Sequence, residues 1–358
     1  MRLLDRYIAR TTLAAVAVVL LVISSLDLLS KLIDELGSLS NNYTFQEVLL
    51  YVGLSIPASI YKYMPFAALV GGLVGLGSLA STSELVIMRA AGVGLVRLTW
   101  SVMKPILWFI IVMLLLSEYV IPVADQYAEN RRSLMLQGKN NALSSKGGLW
   151  NREGDEFMHF NNVQANGKLS GVTRYRYNEL GHLVASSFAK TAIYTGEQWQ
   201  QEEVIETLFN YSDEGVSTQV NAYLIRPWQT ELSPDLLSIL VQESDNLAIS
   251  KLYRYAGYLE KQGINNDKYR LAYWSKVLQP LAIISLVLVA ISFIFGPLRE
   301  VTMGYRIFTG VVVGVVFQMV QKLLGPASLI YGFAPLFAVL IPIIICFFCG
   351  FFLLSRTR

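Results

Sequence analysis

Residues 11–30 read TTLAAVAVVLLVISSLDLLS, and the first sixteen of these positions carry no charged side chain. An α-helix needs about 20 mostly apolar residues to cross the hydrocarbon core of a bilayer. The last apolar stretch of the chain, residues 331–354, is expected to follow a turn at Gly325-Pro326. The pattern predicts six transmembrane helices, three before and three after a long insert. The other five stretches have at most two charged residues each and lie at 48–80, 99–123, 277–295, 306–322 and 331–354.

The composition of the chain supports this prediction. Of its 358 residues, 54% are hydrophobic and only 15% are charged, whereas charged residues make up about a quarter of a typical soluble domain. A net charge of +3 without a basic cluster is not typical of a protein that binds nucleic acid. Two cysteines are too few for a disulfide-rich secreted scaffold. Part of the chain therefore has lipid as its solvent.

The insert at residues 125–270 has the composition of a soluble domain, with 15 Lys or Arg and 18 Asp or Glu among 146 residues. Helical patterns flank it at 124–138 and 246–263. We therefore predict a membrane α-helical protein with an inserted all-β domain resembling a sandwich or jelly roll. Its domains would be residues 1–124, 125–270 and 271–358. Runs of β-branched and aromatic residues between turn signals predict strands at 157–163, 170–177, 183–193, 203–211 and 215–225.

The distribution of basic residues predicts the topology. If both termini are cytoplasmic, the inner segments hold ten Lys or Arg against three Asp or Glu. The first outer loop, residues 31–47, holds one Lys against three acidic residues. Since short cytoplasmic loops are enriched in Lys and Arg, the termini are predicted inside and the β-domain outside the cytoplasm.

The sequence contains no motif for nucleotide binding or catalysis. It lacks a G-x-x-x-x-G-K-[ST] loop, an H-E-x-x-H pair and a G-x-S-x-G elbow. His159 and His182 have no Cys or His neighbours in sequence, so no metal site is predicted. Cys346 and Cys349 share an apolar span, where packing is favoured over redox chemistry. We predict that the chain is not an enzyme by itself and binds no cofactor.

Charged residues within or beside the spans are the candidates for a ligand site, because burying a charge in lipid is costly. Asp27 and Lys31 are one helical turn apart. They form either an interfacial pair or the mouth of a cavity for an anionic ligand. Lys62 lies mid-span, too deep to reach the interface easily, and is predicted to face a cavity or to be paired.

Further basic residues lie near the predicted outer ends of the spans. Arg131 and Arg132 follow span three and would extend a basic rim. Lys276 and Lys322 are interpreted as ordinary interfacial anchors.

Residues 83–92, SELVIMRAAG, follow span two and predict a short helix that ends at Gly92. Its candidate contact residues are Glu84, Leu85, Met88 and Arg89. The segment is either a docking helix for a soluble partner or an amphipathic helix at the membrane surface.

Several motifs resemble the LptF/LptG permease family, and the resemblance covers essentially the whole chain. Details such as the Trp-Ser-Lys sequence resemble the G-type members more than the F-type members. The motifs are Leu4–Ile8 (LDRYI), residues 83–86 (SELV), residues 274–276 (WSK), residues 279–281 (QPL), residues 292–299 (SFIFGPLR) and residues 303–304 (MG).

The resemblance implies the transmembrane subunit of a lipopolysaccharide exporter in the inner membrane of a Gram-negative bacterium. It implies a sister permease (LptF), a dimeric cytoplasmic ATPase (LptB) that hydrolyses ATP with Mg, and a single-span subunit (LptC) beside span one. Lipopolysaccharide would enter a cavity from the outer leaflet and pass through the periplasmic jelly roll toward the outer membrane.

The resemblance also implies roles for individual residues. Lys31 would meet the phosphates of lipid A, Arg132 would be a further cavity contact, and Glu84 would belong to the helix that couples to the ATPase. This chain departs from the family at two basic positions, which fall on Glu129 and Ala58; Lys62, one helical turn later, is a candidate substitute for the second.

Two other functions stay open from the sequence. A permease subunit of another lipid or lipoprotein exporter would usually have four spans. A topology map would distinguish that number from the six spans predicted here. A membrane-anchored sensor or scaffold would have no use for a docking helix, and would not purify with an ATPase.

Overall fold

The computed structural model describes residues 2–40, 42–137, 148–163, 168–196, 198–212, 215–241, 244–296 and 301–356. A π-helical turn, Leu116–Val120, joins two of its helices. The helices are α1 (Arg2–Leu36), α2 (Phe45–Leu54), α3 (Ile56–Ser81), α4 (Glu84–Ala90), α5 (Leu95–Leu115), α6 (Ile121–Gln137), α7 (Pro234–Val241), α8 (Ile249–Lys261), α9 (Asp267–Val277), α10 (Gln279–Phe295), α11 (Met303–Tyr331) and α12 (Pro335–Ser355). The strands are β1 (Leu149–Glu153), β2 (Glu156–Val163), β3 (Lys168–Tyr177), β4 (Leu183–Tyr194), β5 (Trp199–Ser212) and β6 (Gly215–Trp228).

Long apolar helices confirm the predicted membrane class. Among the described residues, five helical segments are long and apolar enough to span a bilayer, and a bent pair raises this number to six. The bent pair is α9 and α10, which meet at 48°. Pro280, in the first turn of the second helix, has no N–H for the carbonyl of Lys276, so one straight helix would lose a hydrogen bond there.

Helix α3 lies at the centre of the helical bundle and packs closely against α1. A Cβ atom at Gly71 would lie 2.4 Å from Cα of Val16, and one at Gly75 would lie 2.9 Å from Cα of Thr12. The two helices therefore touch through their backbones, which only glycine permits. This packing places the end of α1 that carries Asp27 and Lys31 against the first turns of α3.

The expected turn at Gly325-Pro326 is wrong. Helix α11 continues through both residues and ends at Gly332, whose φ of 71° is the left-handed conformation that stops a helix. Pro326 removes one backbone hydrogen bond, and the Ser328 hydroxyl donates to the Gly325 carbonyl at 2.7 Å. The six expected apolar stretches thus remain, but the last connection lies about two helical turns later than predicted.

The insert contains one antiparallel sheet of six strands in the order β1 to β6. The predicted inserted β-domain is confirmed, and its described strands follow one another up and down, without the crossover connections of a jelly roll. The sheet and α8 share one buried apolar cluster, to which the sheet contributes Trp199 and Trp228 and α8 contributes Leu252 and Tyr255. Strand β1 was not predicted.

A polar joint connects the insert to the membrane helices. In the π-helical turn, the Glu118 carboxylate accepts hydrogen bonds from the backbone N–H groups of Ile249 (2.9 Å) and Ser250 (3.4 Å). These are the first two residues of α8, so Glu118 satisfies donors that the helix leaves open. The Lys276 ammonium donates to the Leu247 carbonyl at 2.6 Å. The joint thus links the π-helical turn, the start of α8 and α9. The domain boundaries at 124/125 and 270/271 stay a prediction.

Candidate functional site

A cavity of about 740 Å³ opens at the end of the helical bundle that adjoins the insert. Its walls come from α1, α2, α3, α6, α9, α10, α11 and α12 together with residues that precede α8. Three of the predicted site residues, Lys31, Lys62 and Arg132, line it. The structure therefore brings together cations that lie up to about a hundred positions apart in the sequence.

Asp27 lies beside this cavity and bridges two of its lysines. Its carboxylate oxygens are 3.2 Å from the ammonium nitrogen of Lys31 and 3.6 Å from that of Lys62. The hydroxyls of Ser59 and Tyr63 also donate to it, at 2.6 Å and 2.7 Å. The close packing of α1 on α3 makes this arrangement possible, since Asp27 and Lys31 belong to α1 and the other three residues to α3.

Arg132 lies in a second group, where carboxylates already neutralise its charge. Its guanidinium contacts Glu35 at 3.0 Å and Glu129 at 3.4 Å, and stacks on the ring of Tyr51. Glu35 also accepts a hydrogen bond from the hydroxyl of Tyr43. Burial of the Tyr43 ring, together with the neighbouring Glu35 carboxylate, raises the pKa of this hydroxyl to about 12.

The cavity wall carries charges of both signs. Five basic residues line it, of which Lys276 and Lys322 had been interpreted as anchors. Lys276 is 4% exposed and holds the joint to the insert, whereas Lys322 is exposed. Sequence reasoning missed both because nothing local shows which face of a helix meets a cavity. The acidic residues in the wall are Asp34, Glu35, Asp125, Glu129 and Asp245.

The predicted short helix exists as α4, at the opposite end of α3. Gly92 has φ 85° and its N–H binds the Arg89 carbonyl, while the Val93 N–H binds the Met88 carbonyl, the usual closure of a helix at glycine. Leu85 and Met88 are buried in the bundle core. This burial differs from the contact role expected for them.

The exposed face of α4 carries other residues. Val86 is 53% exposed and Ile87 is 65% exposed, and Arg89 is exposed beside them. Glu84 is half-buried and accepts a hydrogen bond from the Thr82 hydroxyl at 3.0 Å. Val86 and Ile87 therefore form a small exposed apolar surface on α4.

The motifs that carry the resemblance fall near these two regions. Asp5 of LDRYI contacts Arg97 at 3.3 Å and accepts from Ser101 at 3.0 Å, near α4. Ser275 and Lys276 line the cavity, and Gln279 donates to the Tyr61 carbonyl at 2.8 Å. Residues 297–299 of the SFIFGPLR motif lie outside the described residues.

Comparison with known proteins covers almost the whole chain. Residues 6–356 match the family described as lipopolysaccharide export system permease LptF/LptG. The chain is 35% identical over 356 residues to the lipopolysaccharide export system permease protein LptG of Escherichia coli strain K12, covering 99% of this chain and 98% of that protein. It is 34% identical over 358 residues to the protein of the same name from Haemophilus influenzae, covering 99% of each. The chain belongs to the LptF/LptG family of lipopolysaccharide export permeases.

Proposed function

We propose that this chain is the G-type permease subunit of a lipopolysaccharide exporter. It would take lipopolysaccharide from the outer leaflet of the inner membrane and pass it through the inserted β-domain toward the outer membrane. The observation that carries this proposal is the cavity of about 740 Å³, with Lys31 and Lys62 in its wall beside the β-domain, in a chain that matches the family from end to end.

The chemistry of the cavity suits a phosphorylated glycolipid. Lysine ammonium groups bind phosphate through charge-assisted hydrogen bonds. The acyl chains of the same molecule require apolar surface, and the cavity wall also contains Ile121, Ala282 and Ile343. Because Arg132 is shared between two carboxylates, Lys31 and Lys62 are the main phosphate contacts in this proposal, with Lys322 as an added candidate.

Energy for transport would come from a separate ATPase that hydrolyses ATP with Mg. In this proposal the exposed face of α4 enters a groove of that ATPase, with Val86 and Ile87 as the apolar contacts and Arg89 as the polar one. Leu85 and Met88 would hold the helix on the bundle. A soluble partner would cover apolar side chains that water otherwise surrounds.

The assembly and the orientation also belong to the proposal. The lipid-facing surface of α1 is rich in exposed apolar residues such as Val18, Leu21 and Leu26. It is available to a sister permease (LptF) and to a single-span subunit (LptC). The excess of basic residues in the predicted inner segments supports cytoplasmic termini and a periplasmic β-domain.

Reconstitution tests this function. The full chain is assembled with its sister permease and ATPase in liposomes that contain lipopolysaccharide, and ATP-driven release is measured. Lys31→Met is expected to lower release several-fold because it removes a phosphate contact. The matched control is Lys104→Met, an exposed lysine near the other end of the bundle. Equal release by the two variants would contradict the role of the cavity.

A further inference from the structure

We propose that Asp27 competes with the phosphate groups of the glycolipid for the ammonium groups of Lys31 and Lys62. Asp27 would then be a positioning residue that lowers the affinity of the cavity and so allows the lipid to leave it. This inference rests on the proposed function, since it assumes a phosphorylated ligand. It assigns to Asp27 an effect on affinity opposite in sign to that of the two lysines.

The first observation is that one carboxylate holds both lysines. One oxygen of Asp27 is 3.2 Å from the Lys31 ammonium and the other is 3.6 Å from the Lys62 ammonium. The two lysines come from different helices, α1 and α3, and each also lines the cavity. Any anion that binds both lysines from the cavity meets ammonium groups that already have a charged partner.

The second observation is that Asp27 is well solvated by the protein itself. The Ser59 hydroxyl donates to one of its oxygens at 2.6 Å, and the Tyr63 hydroxyl donates to the other at 2.7 Å. The Asp27 side chain is only 11% exposed. Because two neutral donors remain when the lysines turn away, the carboxylate keeps hydrogen bonds that a bare buried charge would lack.

The third observation is that the lysines are the movable partners. The Lys31 side chain is 33% exposed and that of Lys62 is 53% exposed. An ammonium group has three N–H donors on a flexible stem, so it can turn toward an anion in the cavity. A phosphate monoester carries up to two negative charges and three acceptor oxygens, more than the single charge of Asp27.

These observations give Asp27 a function in release. A site made only of two lysines would hold a phosphorylated lipid longer, because most differences in affinity appear in the dissociation rate. Competition by Asp27 weakens this hold. Competition by Asp27 also disfavours lipids with a single weak negative charge. The lysines interact more weakly with such lipids than with the Asp27 carboxylate.

The test measures binding to the purified full chain in nanodiscs. The probes are fluorescent diphosphoryl lipid A and the same lipid with both phosphates removed. We expect Asp27→Asn to lower the Kd for the diphosphoryl probe by about two- to fivefold, the range that the loss of one partly exposed ion pair allows. The dephosphorylated probe is expected to bind both chains equally.

The matched control is Asp34→Asn. Asp34 lies two helical turns from Asp27 on α1 and lines the same cavity, so the control makes the same change in charge without touching the bridge. An equal gain in affinity in the control would overturn the proposal, because net charge would then explain it. Weaker or unchanged binding by Asp27→Asn would overturn it as well.

A second variant keeps the proposal falsifiable if Asp27→Asn does not fold. Tyr63→Phe removes one neutral donor, so Asp27 should depend more on its lysines and the diphosphoryl probe should bind about threefold more weakly. Tighter binding would contradict the proposal. A wild-type chain without preference for the phosphorylated probe would contradict the proposed function itself, and this inference with it.

Discussion

Replacement of Gly71 by alanine tests the packing that assembles the cavity. A Cβ atom at this position would lie 2.4 Å from Cα and 2.8 Å from the backbone nitrogen of Val16. Carbon atoms in ordinary contact are about 3.5–4.0 Å apart, so α1 would have to withdraw from α3 by roughly 1 Å. Because the obstacle is backbone, no change of rotamer relieves it.

The magnitude follows from two opposing effects. Overpacking a well-packed core costs about 1–3 kcal/mol, and occasionally more. Alanine recovers about 1 kcal/mol because it favours the helix more than glycine does. The backbone obstacle at Gly71 places the cost near the upper end of this range, at about 2–3 kcal/mol. After the gain from alanine, we expect a net loss of about 1–2 kcal/mol in the free energy of unfolding for Gly71→Ala. Lipid A binding should fall as well, since a displaced α1 carries Asp27 away from the Ser59 hydroxyl, together with Lys31, whose ammonium donates to the same hydroxyl at 2.9 Å.

The assay is thermal unfolding of the full chain in detergent, followed by tryptophan fluorescence. The control is Gly53→Ala in α2, where a Cβ would have no atom within 4 Å. The control should be neutral or stabilised, whereas Gly71→Ala should unfold roughly 1–3 °C lower. If the two variants unfold at the same temperature, α1 and α3 do not touch through their backbones as described.

Three further predictions concern the joint, the outer loop and the docking helix. Glu118→Ala should remove the cap of α8, destabilise that contact by about 1 kcal/mol, and speed hydrogen exchange at its first turn. Arg131 holds the pKa of Glu47 below its ordinary value of 4.5 by hydrogen bonding. The ion pair therefore stabilises the folded chain fully above pH 4.5, and this stabilisation is lost as the pH falls. Hydrogen exchange in α2 would show the loss. Ile87→Asp should abolish association with the ATPase while the chain still folds, whereas Leu85→Asp should unfold the helix, as pull-down and protease protection would show.

Each of these predictions has a control. Glu260→Ala removes an exposed pair with Arg270 and should leave exchange in α8 unchanged; the same change in both variants would refute the cap. Arg131→Met should abolish the pH dependence in α2, and a persisting dependence would refute its assignment to the ion pair. Normal ATPase association of Ile87→Asp would remove α4 as the docking surface.

The sequence predicted the membrane class and the β-insert because both follow from composition over long segments. Charge-free stretches and β-branched runs are local patterns, and local patterns suffice for such elements. It also selected Asp27, Lys31 and Lys62, since a charge within an apolar span is conspicuous in any window of the sequence.

The remaining features depend on tertiary contacts that no local pattern contains. Leu85 and Met88 resemble docking residues until the bundle is seen to cover them. Lys276 resembles an anchor until the fold buries it and brings its ammonium to the Leu247 carbonyl before α8. Pro326 resembles a helix breaker, yet α11 tolerates it at the cost of one hydrogen bond.

The central claim is that the cavity receives lipopolysaccharide. The most direct measurement places a photoactivatable amino acid at position 58 in cells that make lipopolysaccharide and detects the crosslinked product. Ala58 lines the cavity, whereas Trp108 is 68% exposed on the outer surface of α5 and serves as the control position. We predict a lipopolysaccharide adduct at position 58 that weakens in the Lys31→Met chain, and only membrane phospholipid at position 108. Absence of the adduct at position 58, or equal adducts at both positions, would contradict the account.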